Sequence, residues 1–537
     1  SLTMNARPGM PTSLFTAVCA TAAFLLPGCG GGASGDPLSP TANVVVPPSG
    51  SSTGPFVQEQ LAAALAKPVA GQAEQGGPAA APASCDTAPA VPASVPGDAI
   101  NVKSFGAVPN DDIDDSYAIQ QALSAVKPGQ WVYFPPGRYD HVRSLNLRVP
   151  DVTLWGYGAT LNATTPADQS LTVRADRDRV YGFTFHATTD YRRTEIGSAR
   201  LVSDGREAAS GYISGVVFQD NKVVPATTQP NTDRSNSASS AGIFIYASRF
   251  FTVANNLVSR SLADGIHVTG RSRDGRIIGN TVTEAGDDMI AIVTYMPSTW
   301  RASAVADSTW ISDYLTSARV RNVLIKDNTV NGQYWGRGIA VVGGESVTIQ
   351  NNQVDNATYG AGILVARENN YNTTGVENVL ISGNRVNAVQ TTTPAYVPTG
   401  ANFTKLASNL SKGTTGQGGI EIYNTSPDSD PADPTLKPAI QIKSIQIDNN
   451  TVTGTLGDGI RVGRFSPAGS IEDVAISNNR LSSIGKLPIG GYFSNDTFPK
   501  ANCSANLTGD LKAVTSAICS LQTKPKVTGA ALECSKF

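Results

Sequence analysis

Three carboxylates in the chain are spaced so that they can act together. Asp264 stands before Gly265-Ile266-His267-Val268, and Asp287 and Asp288 stand before Met289-Ile290-Ala291-Ile292. Both stretches alternate apolar residues around one outward position, so they read as the same strand in two successive repeats. Neighbouring strands lie about 4.8 Å apart, which puts Asp264 and Asp288 one above the other with Asp287 alongside. Carboxylates that close cannot all ionise freely, and repulsion raises the pKa of at least one. A protonated acid beside an ionised base is what general acid–base cleavage needs. Two plainer readings stand beside it: a site for calcium or another cation, and solvated turns, since Asp-Gly is a good turn dipeptide. Asp458-Gly459 occupies the same column without an acidic neighbour. The pairing across two repeats therefore carries the argument, and a lone Asp does not.

Other side chains share that address. Ile266 and Val268 point inward, so His267 points outward beside Asp264. Arg337 occupies the carboxylate column one repeat after Asp288. It suits an anionic sugar, a lyase base or a solvated rung. Tyr334 and Trp335 precede it, and Trp300, Trp310 and Tyr314 fall in an insertion between two repeats. Flat aromatics stack on sugar rings; the alternative is that they pack the insertion onto the scaffold.

The elements that must hold these residues repeat. A β-rich run, then Asn, then a residue, then Val or Leu, recurs at Asn221, Asn256, Asn280, Asn328, Asn352, Asn384, Asn450 and Asn479. Several spacings are about 24 residues, and a second phrase follows each Asn: AGIFI, DGIHV, DDMIAI, RGIAV, AGILV, GGIEI, DGIRV. Short alternating strands between Gly/Asn turns, with no helix in the repeat, imply an all-β chain. The period matches one coil of a right-handed parallel β-helix, with the Asn residues stacked as a hydrogen-bonded ladder and Ile/Val columns as core. A β-propeller is the runner-up, but its blades run about 40–45 residues. The solenoid spans 98–495. Length alone, at about 150 residues per domain, would suggest three or four domains in 537 residues.

The start of the solenoid reads Ile100-Asn101-Val102-Lys103-Ser104-Phe105-Gly106-Ala107. Asp111, Asp112, Asp114 and Asp115 follow, then a short helical cap over Ser116–Val126 and a strand at Trp131-Val132-Tyr133-Phe134-Pro135-Pro136-Gly137. This pattern closely resembles the N-terminal cap of the pectate-lyase-like β-helix superfamily. The DG phrase followed one coil later by Gly286-Asp287-Asp288-Met289-Ile290-Ala291-Ile292 resembles the polygalacturonase family of glycoside hydrolases. That resemblance implies Asp287 as general acid, Asp288 and Asp264 as the pair that activates water, and inversion at the anomeric carbon. Where that family has Gly-His-Gly this chain has Gly336-Arg337-Gly338. Its Arg-Ile-Lys falls on Leu364-Val365-Ala366. Hydrolase chemistry is implied, and galacturonate as the sugar is not.

The rest of the chain reads as address and fastening. Residues 1–28 resemble a lipoprotein signal peptide, with an apolar run at Leu14–Leu26 too short to span a bilayer. Leu26-Pro27-Gly28-Cys29 resembles a lipobox, with Cys29 the lipidated residue. With Gly30 next, this implies the outer membrane of a Gram-negative cell. Residues 29–97 are a Pro/Ala/Gly-rich tether with one stretch, Val57–Ala66, able to form a nascent helix. Cys85, Cys503, Cys519 and Cys534 are the even number left for two disulfides, in any of three pairings, at least one stapling the tail 496–537. Lys+Arg 41 against Asp+Glu 43 argues against a nucleic-acid partner. Three scattered His residues exclude a His-rich metal cluster.

The reading is a lipid-anchored extracytoplasmic polysaccharide hydrolase without cofactor, whose only membrane contact is its lipid. The alternatives are a Ca²⁺-dependent lyase on a uronic acid polymer, with Arg337 abstracting the proton, and a non-catalytic glycan-binding lipoprotein.

Overall fold

The structure is a computed structural model. It describes residues 84–537 apart from 188, 190–195, 228–237, 399–407, 409, 412, 428–435, 465–468, 494–500, 511, 515, 517 and 521–525. The expected signal peptide, Cys29 and Val57–Ala66 lie outside the described residues.

The described residues wind as a solenoid of three parallel sheets, with 16, 12 and 11 strands among those residues, here sheets A, B and C. One coil shows the plan. Thr252–Ala254 lies in sheet A, Leu257–Ser259 in sheet B and Ile266–Thr269 in sheet C, and each pairs in parallel with its counterpart in the next coil. A solenoid grows by coils and not by domains, which is why the length-based count of several domains does not apply.

The corner between sheets A and B explains the recurrent Asn. Each ladder side chain is buried. Asn280 Oδ1 accepts from Asn256 N at 2.9 Å and from Asn256 Nδ2 at 3.0 Å, while Asn280 Nδ2 donates to Val253 O at 2.9 Å. The pattern runs from Asn221 to Asn479 and ends one rung further on, at Asn506. The residue before each Asn has a positive φ: Asp220, Asn255, Gly279, Asp327, Asn351, Gly383, Asn449, Asn478 and Ala505. Asn, Asp and Gly tolerate that left-handed conformation best, so the Gly/Asn load of the sequence sits at this bend. Inside, isoleucines stack in register: Ile243, Ile266, Ile290, Ile339, Ile363 and Ile420 are all fully buried.

Helix α1 (Ser116–Ala125) packs Ile119, Ala122 and Leu123 into the first coils. The Asp114 carboxylate accepts from Ser116 N at 2.9 Å, within the first turn. The insertion after sheet C strand Ile290–Val293 folds as two helices, α2 (Trp300–Ala306) and α3 (Trp310–Ala318). The repeat pattern gave no sign of them.

The described segments around Cys85 and around Thr528–Cys534 lie against strands of sheet A. Cys85 is bonded to Cys534, and Cys503 to Cys519. Arg276 donates to Cys85 O, Lys326 pairs with Asp86 at 2.7 Å, and Asn378 and Thr348 hold Thr528 and Ala530. The last strands, Ala501–Ser504 and Cys519–Ser520, continue sheet A beyond residue 495.

Candidate active site

Asp264, Asp288 and Arg337 each immediately precede the Gly/Met–Ile start of a sheet C strand. Backbone bonds stack them: Gly265 N donates to Asp288 O at 3.1 Å, and Met289 N to Arg337 O at 3.0 Å. The residue after Asp264 must be small, because a Cβ on Gly265 would lie 2.4 Å from Val282 Cγ1 and 2.6 Å from Met289 O. Coils are packed that tightly at this corner. The three carboxylates therefore converge, with one oxygen from each within 4.8 Å of the others, and all three side chains are fully buried.

Each carboxylate has a different setting. Asp264 Oδ2 lies 2.5 Å from His267 Nδ1. His267 points out of the core as the alternation requires, yet it is closed in, its ring stacked on Phe244 at 5.1 Å. Burial pushes the His267 imidazole down to about 4, so it is neutral at pH 7 and donates Nδ1–H to Asp264. Asp287 Oδ1 accepts from Asp288 N at 3.0 Å. Asp288 Oδ1 accepts from Arg337 N at 2.7 Å, and Asp288 Oδ2 has no hydrogen-bond partner. Burial raises the Asp288 carboxyl well above the usual carboxylate range; Arg337 opposes the rise, and Asp287 and Asp264 add to it. The fold thus favours a proton on Asp288, whereas the polygalacturonase resemblance implies Asp287 as the acid.

Gly336 fixes this arrangement. Its φ is +69°, and an added Cβ would sit 2.5 Å from Asp287 C, Asp287 Oδ1 and Asp288 N. The backbone of one coil is pressed directly against the paired aspartates of the coil before.

Arg337 is not available as the sequence suggested. Its guanidinium is bonded to Glu368 and lies 3.8 Å from Asp288 Oδ1, with only 6% of its side chain exposed. Burial alone would lower its pKa, but Glu368, Asp288 and Asp287 outweigh that and raise it above the ordinary arginine value. Held between Glu368 and Asp288, the guanidinium is a clamp between two carboxylates, an arrangement that works against the lyase role expected of Arg337. Glu368, just past strand Ile363–Arg367, has no signature in the repeat and was missed by sequence reasoning.

Three of the aromatic residues expected to stack on sugar, Trp300, Tyr334 and Trp335, pack the protein instead. Trp300 is wholly buried, with Met296, Ala304, Ile311, Leu436, Ala439 and Ile440, where the insertion docks on the segment before sheet A. Trp310 stacks on Tyr314 at 4.9 Å and is only partly covered. Tyr334 and Trp335 are buried in a cluster with Leu262, Tyr359 and Tyr396; Trp335 stacks on Tyr359 at 4.1 Å, and Tyr334 OH donates to Leu262 O. They wall the carboxylate corner and present no free ring face. A polar cleft of about 330 Å³ opens elsewhere, over sheet B at Gln353, Asp355, Arg385 and Thr451, and includes none of the three aspartates.

Residues 99–362 match the family described as Rhamnogalacturonase A/epimerase, pectate lyase-like. That stretch holds Asp264, His267, Asp287, Asp288 and Arg337. No curated protein matches the sequence. Among solved structures, the Agl-KA catalytic domain superposes with a TM-score of 0.56 at 16% identity, covering 78% of this chain and 67% of its own. The catalytic domain of a GH87 alpha-1,3-glucanase variant in complex with tetrasaccharides superposes with a TM-score of 0.51 at 15% identity, covering 82% and 70%. Identities this low speak to fold alone. Together with three parallel sheets and an unbroken Asn ladder, they show that the body of this chain is a right-handed parallel β-helix, similar over residues 99–362 to the pectate-lyase-like family model.

Proposed function

We propose that the chain is a polysaccharide hydrolase whose acid/base set is Asp264, Asp287 and Asp288. One observation carries this: a buried carboxyl that favours its proton, Asp288, shares a 4.8 Å corner with two other carboxylates. Three negative charges at that distance in a buried site are too costly, so a proton is retained at neutral pH. Asp288 donates it to the leaving oxygen, and the Asp264–His267 pair and Asp287 orient and deprotonate water. The matched family's description and the glucanase structures bound to sugar support a glycan as substrate. The test is a panel of purified polysaccharides read by mass spectrometry. Hydrolysis adds water to the products, and the single Asp→Asn variants at 264, 287 and 288 abolish it without loss of folding. Full activity in all three variants refutes the assignment.

A second reading has its own observation. One oxygen from each aspartate within 4.8 Å, with Asp288 Oδ2 unpartnered, is a hard-oxygen donor set that fits Ca²⁺ once substrate or water completes the shell. The cation would supply charge stabilisation for elimination or epimerisation at a uronate, with a base other than Arg337. Product formation without added water, abolished by a chelator, selects this reading.

Anchoring by Cys29 and an extracytoplasmic location remain part of the proposal. They rest on the lipobox-like residues 26–29 and on two disulfides, which persist in oxidising compartments. Loss of detergent-phase partitioning in Cys29→Ser checks the anchor.

A further inference from the structure

Four arginines gather where sheet C turns into sheet A. Arg249, Arg273 and Arg321 occupy one register position in three consecutive coils. Their strands are about 4.8 Å apart, so three like charges stand in a row. Arg271 joins them from the preceding turn. The ring of Tyr212 gathers three of the four guanidinium groups: Arg271 at 5.0 Å, Arg273 at 5.1 Å and Arg249 at 5.8 Å from its centroid. All four side chains are partly exposed. Among the described residues, the one carboxylate within 4 Å of any of them is Asp274, 3.7 Å from Arg273. Arg273 Nε is buried with no hydrogen-bond partner. The row ends at Glu345, whose carboxylate faces Arg319 at 3.7 Å.

Stacked like charges on adjacent strands destabilise a sheet unless something offsets them. In a chain with 16% charged residues and net charge −2, this concentration is not a compositional accident. We propose that the row Arg249, Arg273 and Arg321, with Arg271 and Tyr212, binds an acidic polysaccharide, a uronate polymer lying parallel to the solenoid axis. Such a polymer carries one carboxylate per sugar, and Arg presents a planar fork that matches a carboxylate with two parallel bonds. A strand row along the axis then meets successive sugars. The patch shares its coil with the reaction centre: Arg271 and Arg273 follow the strand Ile266–Thr269 that starts beside Asp264. The strand Ile266–Thr269 separates the patch from Asp264, so the row is a binding site beside the reaction centre and not part of it. A neutral glucan offers no charge to offset the row. The inference takes from the proposed function only that the ligand is a polysaccharide.

Affinity electrophoresis of the full chain in gels containing sodium alginate, polygalacturonate or dextran tests it. Retardation by at least one of the polyuronates, weakened by salt, and none by dextran is expected. The double variant Arg271→Ala/Arg273→Ala should weaken that binding at least about 10-fold. Arg273→Gln should bind more weakly with Tm unchanged or raised, since it removes one of the stacked charges. Asp287→Asn should bind normally, which separates failure of this site from failure of the catalytic assignment. No retardation by either polyuronate, equal retardation by dextran, or undiminished binding in both arginine variants overturns the proposal. So does binding confined to phosphatidylglycerol vesicles, which would give the patch to a lipid surface.

Discussion

His267 Nδ1 lies 2.5 Å from Asp264 Oδ2, with both side chains closed off from solvent. The neutral imidazole holds the carboxylate in one orientation. His267→Phe removes the donor and leaves a buried carboxylate oxygen short of a bond. We expect kcat to fall on the order of 10- to 100-fold, the scale on which a misplaced group costs rate. His267→Gln, which can still donate, should recover most of the loss. Equal activity in wild type and His267→Phe would remove His267 from the site.

The proposed function takes Asp288, whose carboxyl is raised by burial, as the acid. Asp288→Asn should lower kcat on natural glycan by about 10²–10⁴. Substrates with a good leaving group, such as nitrophenyl glycosides, need little protonation and should recover much of that rate. Asp264→Asn should show no such recovery. If Asp287→Asn is the variant recovered by activated substrates, Asp287 is the acid and the polygalacturonase-like assignment holds.

Gly336→Ala combines a clash with a positive φ. The new methyl would meet Asp287 and the Asp288 amide at 2.5 Å. Backbone strain of this kind costs about 1–3 kcal/mol, and the paired aspartates must shift to make room. A lower melting temperature together with a large drop in kcat is expected; unchanged kinetics would show that the aspartates need not sit where they do.

Asn328→Leu breaks the ladder in mid-solenoid. It removes the acceptor for Asn280 N and Nδ2 and the donor to Ile277 O. Leaving buried backbone groups unsatisfied costs about 1–3 kcal/mol each, so a total of several kcal/mol is expected from urea unfolding. A loss under about 1 kcal/mol would mean the ladder is not what fixes the corner.

Asp178 gives a pH signature of stability. Burial pushes its carboxyl from 3.8 up to about 9. Folding therefore takes up a proton. The associated stability is full below the unfolded value and is lost as pH rises towards 9, at up to about 1.4 kcal/mol per unit. Asp178→Asn has no proton to lose, so its Tm relative to wild type should improve steadily from pH 5 to pH 8. A constant difference across that range would show that Asp178 ionises normally.

The periodic part of the molecule was legible in the residues. A ladder Asn and an Ile column can be read by spacing because each coil repeats the same hydrogen-bond and packing problem. The rung at Asn506 escaped because its neighbours are atypical. Asp264 and Asp288 were legible for the same reason: they occupy a periodic column, and Asp287 is the neighbour of one of them. What covers an outward position is not periodic. Trp300 and Trp335 were expected to face sugar, but Trp300 is covered within the insertion that forms α2 and α3, and Trp335 by Tyr359, the residue at its own repeat position one coil on. Arg337 was placed in its column correctly, yet its role turned on Glu368, a residue outside any phrase. Disulfide pairing was equally closed to spacing, since Cys85 reaches Cys534 only because the segments that carry them both lie against sheet A.

That pairing has a mechanical consequence. Cys85 and Cys534 are 449 positions apart in sequence, yet their Cα atoms are 5.1 Å apart. Every coil lies inside the covalent ring they close. A pull on the two ends of the chain is carried by one sulfur–sulfur bond, and the coils within feel no load until it breaks. A pull applied to both ends would therefore leave the site in register at loads that would unwind an open solenoid from its last coil.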